Sequence, residues 1–331
     1  MRVILKLTVL LLAIAAAMPA QQNDSEEKDT SAHVVHLLEV QNGVNVEVLD
    51  WGGSGRPLIF IPANGFTGHE FDSFAPEFIG THHVYGITRR GFGSSSAPAP
   101  DQHNYSADRL GDDILAVIEE LHIDRPVLVG HSLGGEELSS IASRHPEKVS
   151  GLVYLDAAYS YAYYDANVGD LVLDSIDLHN KLSAFLSVQN PEVDAVLSAI
   201  EADLPRYEKD VRNQRELFAL LPPHPPAQGQ PDPIQVAISN GRQKYTKITV
   251  PALAIFADPH GEFAHAYPDD PKKREALAAN DKATTTAQAD AFERGVPSAK
   301  VVLLPNASHM IFQSNEADVL REMNAFLATL H

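Results

Sequence analysis

The sequence contains no cysteine among its 331 residues. A disulfide framework is therefore excluded, and no thiol is present for lipid attachment near the N-terminus. Stability must then come from the hydrophobic core, and a chain of this length can bury a large one. The length fits one large domain or two ordinary ones.

Positive charge is also scarce. Lysine and arginine together number 25 against 44 aspartates and glutamates, which gives a formal net charge of −19. Nucleic acids and anionic membrane surfaces would repel such a chain, so neither is an expected partner. We expect a small-molecule partner instead.

The N-terminus carries two of the few basic residues. Arg2 and Lys6 precede an apolar run over residues 7–17, and small residues continue to Ala20. This pattern is typical of a secretory signal peptide at residues 1–20, and the run is short for a membrane-spanning helix. We therefore expect a periplasmic or secreted protein without stable membrane insertion after cleavage.

Residues 21–32 follow this signal and are polar and acidic, with no periodic apolar pattern. Such a composition cannot bury enough apolar surface to order a short segment, so it predicts a disordered acidic tether. Removal of the signal would also remove its two basic side chains and leave the chain at −21.

A serine turn follows the apolar run at residues 126–129. Gly130 and Gly134 bracket Ser132 in the spacing G-x-S-x-G, and a helix-forming run begins directly afterwards. At such a turn the serine backbone is strained, and only residues without a β-carbon fit two positions away on either side. Ser132 is therefore a candidate nucleophile; the alternative is an ordinary strand–helix turn with a capping serine.

Short apolar runs and helical patterns alternate along much of the chain. Residues 33–41 and 44–50 predict a hairpin at Asn42-Gly43. Further strands are expected at residues 57–61, 82–88, 149–156, 250–258 and 300–305, and helices at 71–78, 106–121 (with Ser106 as N-cap) and 316–330. Such alternation predicts an α/β fold whose parallel sheet is covered on both faces, with the active site at the carboxyl ends of the strands.

The alternation stops between residues 158 and 247. This segment lacks a buried strand and contains two helix-like runs, 171–186 and 193–220, before a proline-rich stretch at 222–233. We expect a helical insertion after the sixth strand, which divides the core into residues 33–157 and 248–331. At its entry lie four tyrosines that line a pocket or pack the hinge: Tyr159, Tyr161, Tyr163 and Tyr164.

The serine turn, together with residues 89–94, which are similar to an Arg-Gly-x-Gly-x-Ser turn, resembles the α/β-hydrolase family over residues 44–330. The resemblance implies an α/β-hydrolase fold of the serine esterase type, in which a mostly parallel sheet is covered by helices. It identifies residues 158–247 as a helical cap over the site. The adjacent Arg89 and Arg90 are expected to pair with carboxylates rather than bind an anion.

The resemblance also implies a histidine and an acid that activate the serine. His309 lies just past the last strand, where the family places its base; the alternative is a surface histidine. The family's usual acid position is occupied by His260, so Asp258, two residues earlier, and Asp156, at the end of the strand before the cap, remain alternatives. Glu262 and Asp269 are more remote candidates.

Two backbone N–H groups are implied as the oxyanion hole, those of Phe66 and Leu133. Phe66 follows an Asn64-Gly65 pair. The family has histidine-glycine at this position, so the motif departs at Asn64 while the main-chain donor is retained.

Together these residues predict a serine hydrolase that cleaves a small or medium carboxylic ester through an acyl-enzyme at Ser132. The chemistry requires no cofactor, and the histidine spacings show no metal-ligand motif, so no metal is expected. Dehalogenase and epoxide hydrolase chemistries are disfavoured, because they need a carboxylate in place of Ser132. A lactonase, a carbon–carbon bond hydrolase, an iminopeptidase and a catalytically silent ligand-binding homologue remain alternatives.

Overall fold

The computed structural model describes residues 31–186, 193–222 and 230–330. The expected signal peptide at 1–20 lies outside these residues, as does the expected tether except for its last two positions. Most of the proline-rich stretch at 222–233 lies outside them as well. These three expectations stay predictions.

One eight-stranded sheet forms the centre of the fold, in the order β1-β2-β4-β3-β5-β6-β7-β8. The two pairs that involve β2 are antiparallel, and the other neighbours are parallel. The strands are β1 (Val34–Gln41), β2 (Val44–Gly53), β3 (Arg56–Ile61), β4 (His82–Thr88), β5 (Val127–His131), β6 (Gly151–Leu155), β7 (Ala252–Ala257) and β8 (Ala299–Leu304). The sequence predictions of the strands and of the hairpin at Asn42-Gly43 are confirmed.

Alternate residues of the central strands enter two separate apolar clusters. Leu128 and Leu152 belong to one cluster, whereas their neighbours Val129 and Val153 belong to the other. Since successive side chains of a strand point to opposite faces, the sheet has a core on each side. This explains why β5, β6 and β7 are fully buried and largely apolar, with the polar His131 at the end of β5.

Helices cover the sheet and fill the segment between β6 and β7. They are α1 (Gln102–Tyr105), α2 (Ala107–Glu120), α3 (Gly134–Arg144), α4 (Leu171–Phe185), α5 (Val193–Leu220), α6 (Pro233–Asn240), α7 (Pro271–Gly295), α8 (Ile311–Ser314) and α9 (Glu316–Leu327). Ser106 caps α2 by accepting a hydrogen bond from the Arg109 N–H, as expected. Within the described part of the chain, no helix combines the length and the apolar character that crossing a bilayer requires.

The structure differs from the predicted helices at two places. Residues 71–78 form no single helix but parts of two 3-10 turns, Gly68–Phe71 and Ala75–Phe78. Pro76 has no N–H to continue a helical ladder from the first turn into the second. The long helix α7 was not predicted, because its apolar residues are spread around the helix and form no single stripe.

Helix α3 lies unusually close to the chain that leaves β6. A β-carbon added at Gly135 would lie 2.2 Å from the carbonyl oxygen of Ala157. Two backbone segments therefore meet at a point where no side chain fits. This close approach fixes the serine turn relative to the end of β6.

We therefore expect Gly135→Ala to lower the free energy of unfolding by about 1–3 kcal/mol, because the backbone must move apart to admit the methyl group. Gly80→Ala is the matched control, since an added β-carbon there meets nothing within 4 Å. The control should change stability by less than about 0.5 kcal/mol. Urea unfolding of both variants checks this, and equal stabilities would contradict the packing argument.

Candidate active site

Ser132 lies in the turn between β5 and α3 with a backbone φ of 50°. A β-carbon on Gly130 would lie 2.8 Å from the Gly134 carbonyl carbon, and one on Gly134 would lie 2.6 Å from the Ile61 carbonyl oxygen. Neither position tolerates a side chain, which is the steric reason for the G-x-S-x-G spacing. The turn is therefore the strained one that the sequence predicts.

Asp156 follows β6 directly and also has a positive φ, of 47°. The Ser132 N–H donates to the carbonyl oxygen of Leu155 at 3.3 Å, so the two turns are joined. Since β5 and β6 are parallel neighbours, their carboxyl ends bring Ser132 and Asp156 to the same edge of the sheet.

The Asp156 carboxylate is fully buried and accepts four hydrogen bonds. Its Oδ1 accepts from the Tyr159 hydroxyl at 2.7 Å and from the Ala257 N–H at 3.0 Å. Its Oδ2 lies 2.6 Å from Nδ1 of His309 and 2.9 Å from Nε2 of His260. Burial alone would raise the pKa of Asp156, but the two imidazoles hold it well below its usual range.

His309 lies on the loop after β8, and three contacts fix this loop. The backbone N–H of His309 donates to Oε1 of Glu262 at 2.6 Å, and its carbonyl oxygen accepts from Nε2 of His131 at 3.0 Å. The third contact is the bond from Nδ1 to Asp156. The side chain of His309 is 16% exposed, whereas that of Asp156 is fully buried.

Ser132 and His309 are linked through His131, the residue before the serine. The rings of His131 and His309 lie 4.7 Å apart between centroids. In the described part of the chain no hydrogen bond joins the Ser132 hydroxyl to the His309 ring, and the buried hydroxyl of Tyr161 has no hydrogen-bond partner there either. Serine–histidine hydrogen bonds are often long in proteins without substrate and tighten when substrate binds.

His131 carries a buried partner of its own. Its Nδ1 lies 2.7 Å from Oε1 of Glu70, and both side chains are fully buried. Burial alone would lower the pKa of His131, but the Glu70 carboxylate raises it. Both ring nitrogens of His131 face acceptors, the Glu70 carboxylate and the His309 carbonyl oxygen, so this pairing favours the protonated ring.

The alternative acid, Asp258, does not contact His309. Its N–H donates to the Leu304 carbonyl oxygen, and its Oδ1 is buried without a hydrogen-bond partner among the described residues. Burial raises the pKa of Asp258, which disfavours its charged form. Of the two alternatives, Asp156 and not Asp258 therefore contacts His309 in this structure, and His260, two residues beyond Asp258, reaches toward Asp156.

His260 is held between two carboxylates. Its Nε2 contacts Asp156, while its Nδ1 lies 3.0 Å from Oδ1 of Asp281, whose Oδ2 also accepts the His260 N–H at 2.8 Å. Burial alone would lower the pKa of His260, but the two carboxylates raise it to about 11. His260 is therefore an imidazolium at neutral pH.

The expected oxyanion donors lie on two neighbouring loops. Leu133 is the N-cap of α3, a position whose N–H has no partner within the helix. The Phe66 N–H donates to the Ala63 carbonyl oxygen at 3.3 Å, so it is engaged in a turn. Gly65, which precedes Phe66, has a φ of 88°.

The two predicted arginines are buried and paired with carboxylates, as expected. Arg90 forms two 2.5 Å hydrogen bonds with Asp113. Arg89 pairs with Glu137 of α3 and donates to the carbonyl oxygens of Pro62 and Ala63 at 3.0 and 3.2 Å. Arg89 thus ties the loop before Phe66 to the helix that follows Ser132.

Two groups of side chains bring three potential metal ligands within 4.8 Å of one another. One comprises His33, His69 and Asp72, and the other comprises Asp156, His260 and His309. In the second group both imidazoles donate N–H groups to one carboxylate oxygen, so metal binding would require the loss of those protons.

A cavity of about 170 Å³ lies beside His260, between the segment that precedes β7 and helix α7. Its walls come from α4, α5 and α7 and are largely apolar, and Tyr159, His260 and Asp281 form part of its lining. Neither Ser132 nor His309 lines it. The cavity therefore adjoins the acid side of the site rather than the nucleophile.

Sequence reasoning missed Glu70, His131 and Asp281, which hold the ionised network together. Asp281 lies on the unpredicted helix α7, and Glu70 lies in the 3-10 turn Gly68–Phe71, just before the helix that was expected at 71–78. Of the four tyrosines, Tyr159 and Tyr161 lie at the site, whereas Tyr163 packs on Phe292. Nothing in the sequence around Asp281 indicates that its side chain contacts a histidine 21 positions away.

Comparison with known proteins agrees with this arrangement. A family model described as "Alpha/beta hydrolase family" matches residues 58–322. The chain is 33% identical over 116 residues to a fluoroacetate dehalogenase from Burkholderia sp., which covers 34% of the chain and 38% of that protein. It is 33% identical over 119 residues to 2-hydroxymuconate semialdehyde hydrolase from Pseudomonas sp. (strain CF600), covering 35% and 41%.

The chain thus spans about two-fifths of the length of these curated relatives. Its fold is similar to that of a solved N-acyl homoserine lactone degrading enzyme, with a TM-score of 0.52 and 20% identity over 89% of this chain and 100% of the other. Because the family match covers most of its length and the sheet has the expected topology, the chain belongs to the alpha/beta hydrolase family.

Proposed function

We propose that this protein is a serine hydrolase that cleaves a small or medium carboxylic ester through an acyl-enzyme at Ser132. The observation that carries the proposal is the 2.6 Å contact between Nδ1 of His309 and Asp156, beside the strained turn of Ser132. A serine hydroxyl is a weak nucleophile until a base removes its proton.

The contact with Asp156 assigns the roles of the two nitrogens of His309. Because Nδ1 donates its proton to a carboxylate that stays ionised, the lone pair of the neutral ring is at Nε2. That nitrogen can take the Ser132 proton as the hydroxyl attacks the carbonyl carbon. The alcohol then leaves with this proton, and water hydrolyses the acyl-enzyme with His309 again as base.

The negative charge that develops on the substrate's carbonyl oxygen must be stabilised by hydrogen-bond donors. The Leu133 N–H, at the start of α3, is one, and the helix N-terminus adds its positive potential. The Phe66 N–H would be the second donor once it turns from the Ala63 carbonyl. The Tyr161 hydroxyl, buried without a hydrogen-bond partner among the described residues, provides a further donor, since burial keeps its pKa well above the usual value.

The serine at position 132 also limits the chemistry. Dehalogenation and epoxide opening in this family pass through an alkyl ester of a carboxylate nucleophile, and Ser132 offers none. The dehalogenase relative is therefore a weaker guide to substrate than the semialdehyde hydrolase and the lactone-degrading structural neighbour. Lactones are cyclic carboxylic esters, so a test panel should include them beside open-chain esters.

A fluorophosphonate probe tests the nucleophile. We expect the purified protein to be labelled at Ser132, because the probe reacts with serines that a base activates. Ser132→Ala should remove the label, and mass spectrometry of the labelled peptide identifies the site. The neighbouring Ser139 is fully buried and bonds to Tyr154, so Ser139→Ala serves as the matched control that keeps the label. A wild-type protein that stays unlabelled would favour the ligand-binding alternative.

Paired substitutions test the acid. Asp156→Asn should lower kcat on a p-nitrophenyl ester by about 10⁴-fold, because a neutral amide neither fixes the His309 tautomer nor stabilises its imidazolium. Asp258→Asn should keep most of the activity, since its carboxyl contacts neither histidine through a hydrogen bond in the described chain. Melting temperatures of both variants separate lost catalysis from lost folding, and a steeper loss in Asp258→Asn would contradict our assignment.

A further inference from the structure

His260 and Asp281 take no part in the reaction steps above, yet they are built into the site. Asp281 projects from α7 and binds both the backbone N–H and the Nδ1 of His260, which turns Nε2 toward Asp156. The His260 side chain is 2% exposed and that of Asp281 is 9% exposed. A charged pair buried this deeply is costly unless it is fully hydrogen bonded.

Both carboxylates accept hydrogen bonds from one ring, so the ring must carry a proton on each nitrogen. This follows from the geometry, because neither Asp156 nor Asp281 can donate while ionised. The two carboxylates raise the pKa of His260 to about 11 against the effect of burial. A positive charge at neutral pH therefore contacts the same Asp156 oxygen that His309 binds.

The groups that surround His260 come from every packed element. Asp156 and Tyr159 come from the segment after β6, and His309 comes from the loop after β8. Helix α7 contributes Asp281 and Lys282, and Asp258 precedes His260 in its own loop, beside Lys282. The His260 and His309 rings lie 6.1 Å apart between centroids, and both bind Oδ2 of Asp156. On its other side His309 meets His131, which is paired with Glu70.

We propose that His260 and Asp281 are a positioning pair, which aims the Asp156 carboxylate at His309 and opposes a second positive charge on the His309 ring. The proposal rests on the serine hydrolase function, because it concerns the base of that reaction. The carboxylate is held by fixed donors on Oδ1 and by His260 on Oδ2, so it keeps one orientation. The imidazolium of His260 repels acquisition of a proton from solvent by His309, which extends activity toward acid pH.

The charge of His260 can be measured without substrate. In protein labelled with ¹⁵N-histidine, NMR at about pH 9 should show a ring that keeps both nitrogens protonated, since its pKa lies near 11. His260→Gln should remove this signal. In Asp281→Asn the same ring should lose a proton at lower pH than in the wild type, because one of its two anions is gone. A His260 ring that loses a proton near neutral pH overturns the proposal.

Kinetics tests the effect on the base. His260→Gln keeps an N–H donor near Asp156 but removes the charge, so we expect kcat to fall about 10- to 100-fold as the carboxylate loosens. The acidic limb of the pH–rate profile should move upward by roughly one pH unit, because a cation near His309 has been removed. A purely structural role would lower the rate without moving that limb.

The matched control is His83→Gln. His83 also pairs with a carboxylate, Asp50, at 2.9 Å, but lies on β4 and does not contact the site. It should leave both the pH profile and the two-proton NMR signal unchanged. An unshifted acidic limb in a folded His260→Gln protein overturns the positioning role. Failure of Ser132 labelling with an intact NMR signal would instead reject the proposed reaction and leave the charged pair standing.

Discussion

The site depends on one carboxylate oxygen that two imidazoles share. Oδ2 of Asp156 lies within 2.9 Å of both His309 and His260, in a place that water does not reach. An unpaired charge buried there would be costly, so the carboxylate is stable only because four donors converge on it. These donors are brought together by the carboxyl ends of the strands, by the close approach of α3 to the chain after β6, and by helix α7.

The ionised groups alternate in sign across the site. Glu70 and His131 form one buried pair, and Asp281 and His260 form another, with Asp156 and His309 between them. Each carboxylate therefore meets a cationic or neutral imidazole rather than another carboxylate. The proposed base, His309, lies beside both His131 and His260, and each of these two rings is bound to a buried carboxylate. Arg89 likewise pairs with a buried carboxylate, that of Glu137, and it donates a hydrogen bond to the loop that precedes Phe66.

Local sequence patterns predicted most of the sheet and the positions of the candidate nucleophile and base. Ser132 could be identified from the sequence because the glycine spacing reflects steric crowding within a few residues. An added β-carbon at Gly130 or Gly134 would indeed lie less than 3 Å from neighbouring backbone atoms. His309 could be selected because it lies just after the last strand. The acid could not be identified from the sequence, because Asp156 and Asp258 both directly follow apolar strands. Only the folded structure shows that Asp156 is the one that contacts His309.

The sequence by itself therefore determined the strands, the serine turn and the order of the candidate residues, because strand burial and backbone strain depend on neighbours in the chain. Only the tertiary structure decided which carboxylate meets His309 and that His260 is charged. Those contacts join residues 153, 104 and 21 positions apart. The protonation of a buried side chain is set by the charges folded around it, and no local pattern specifies these.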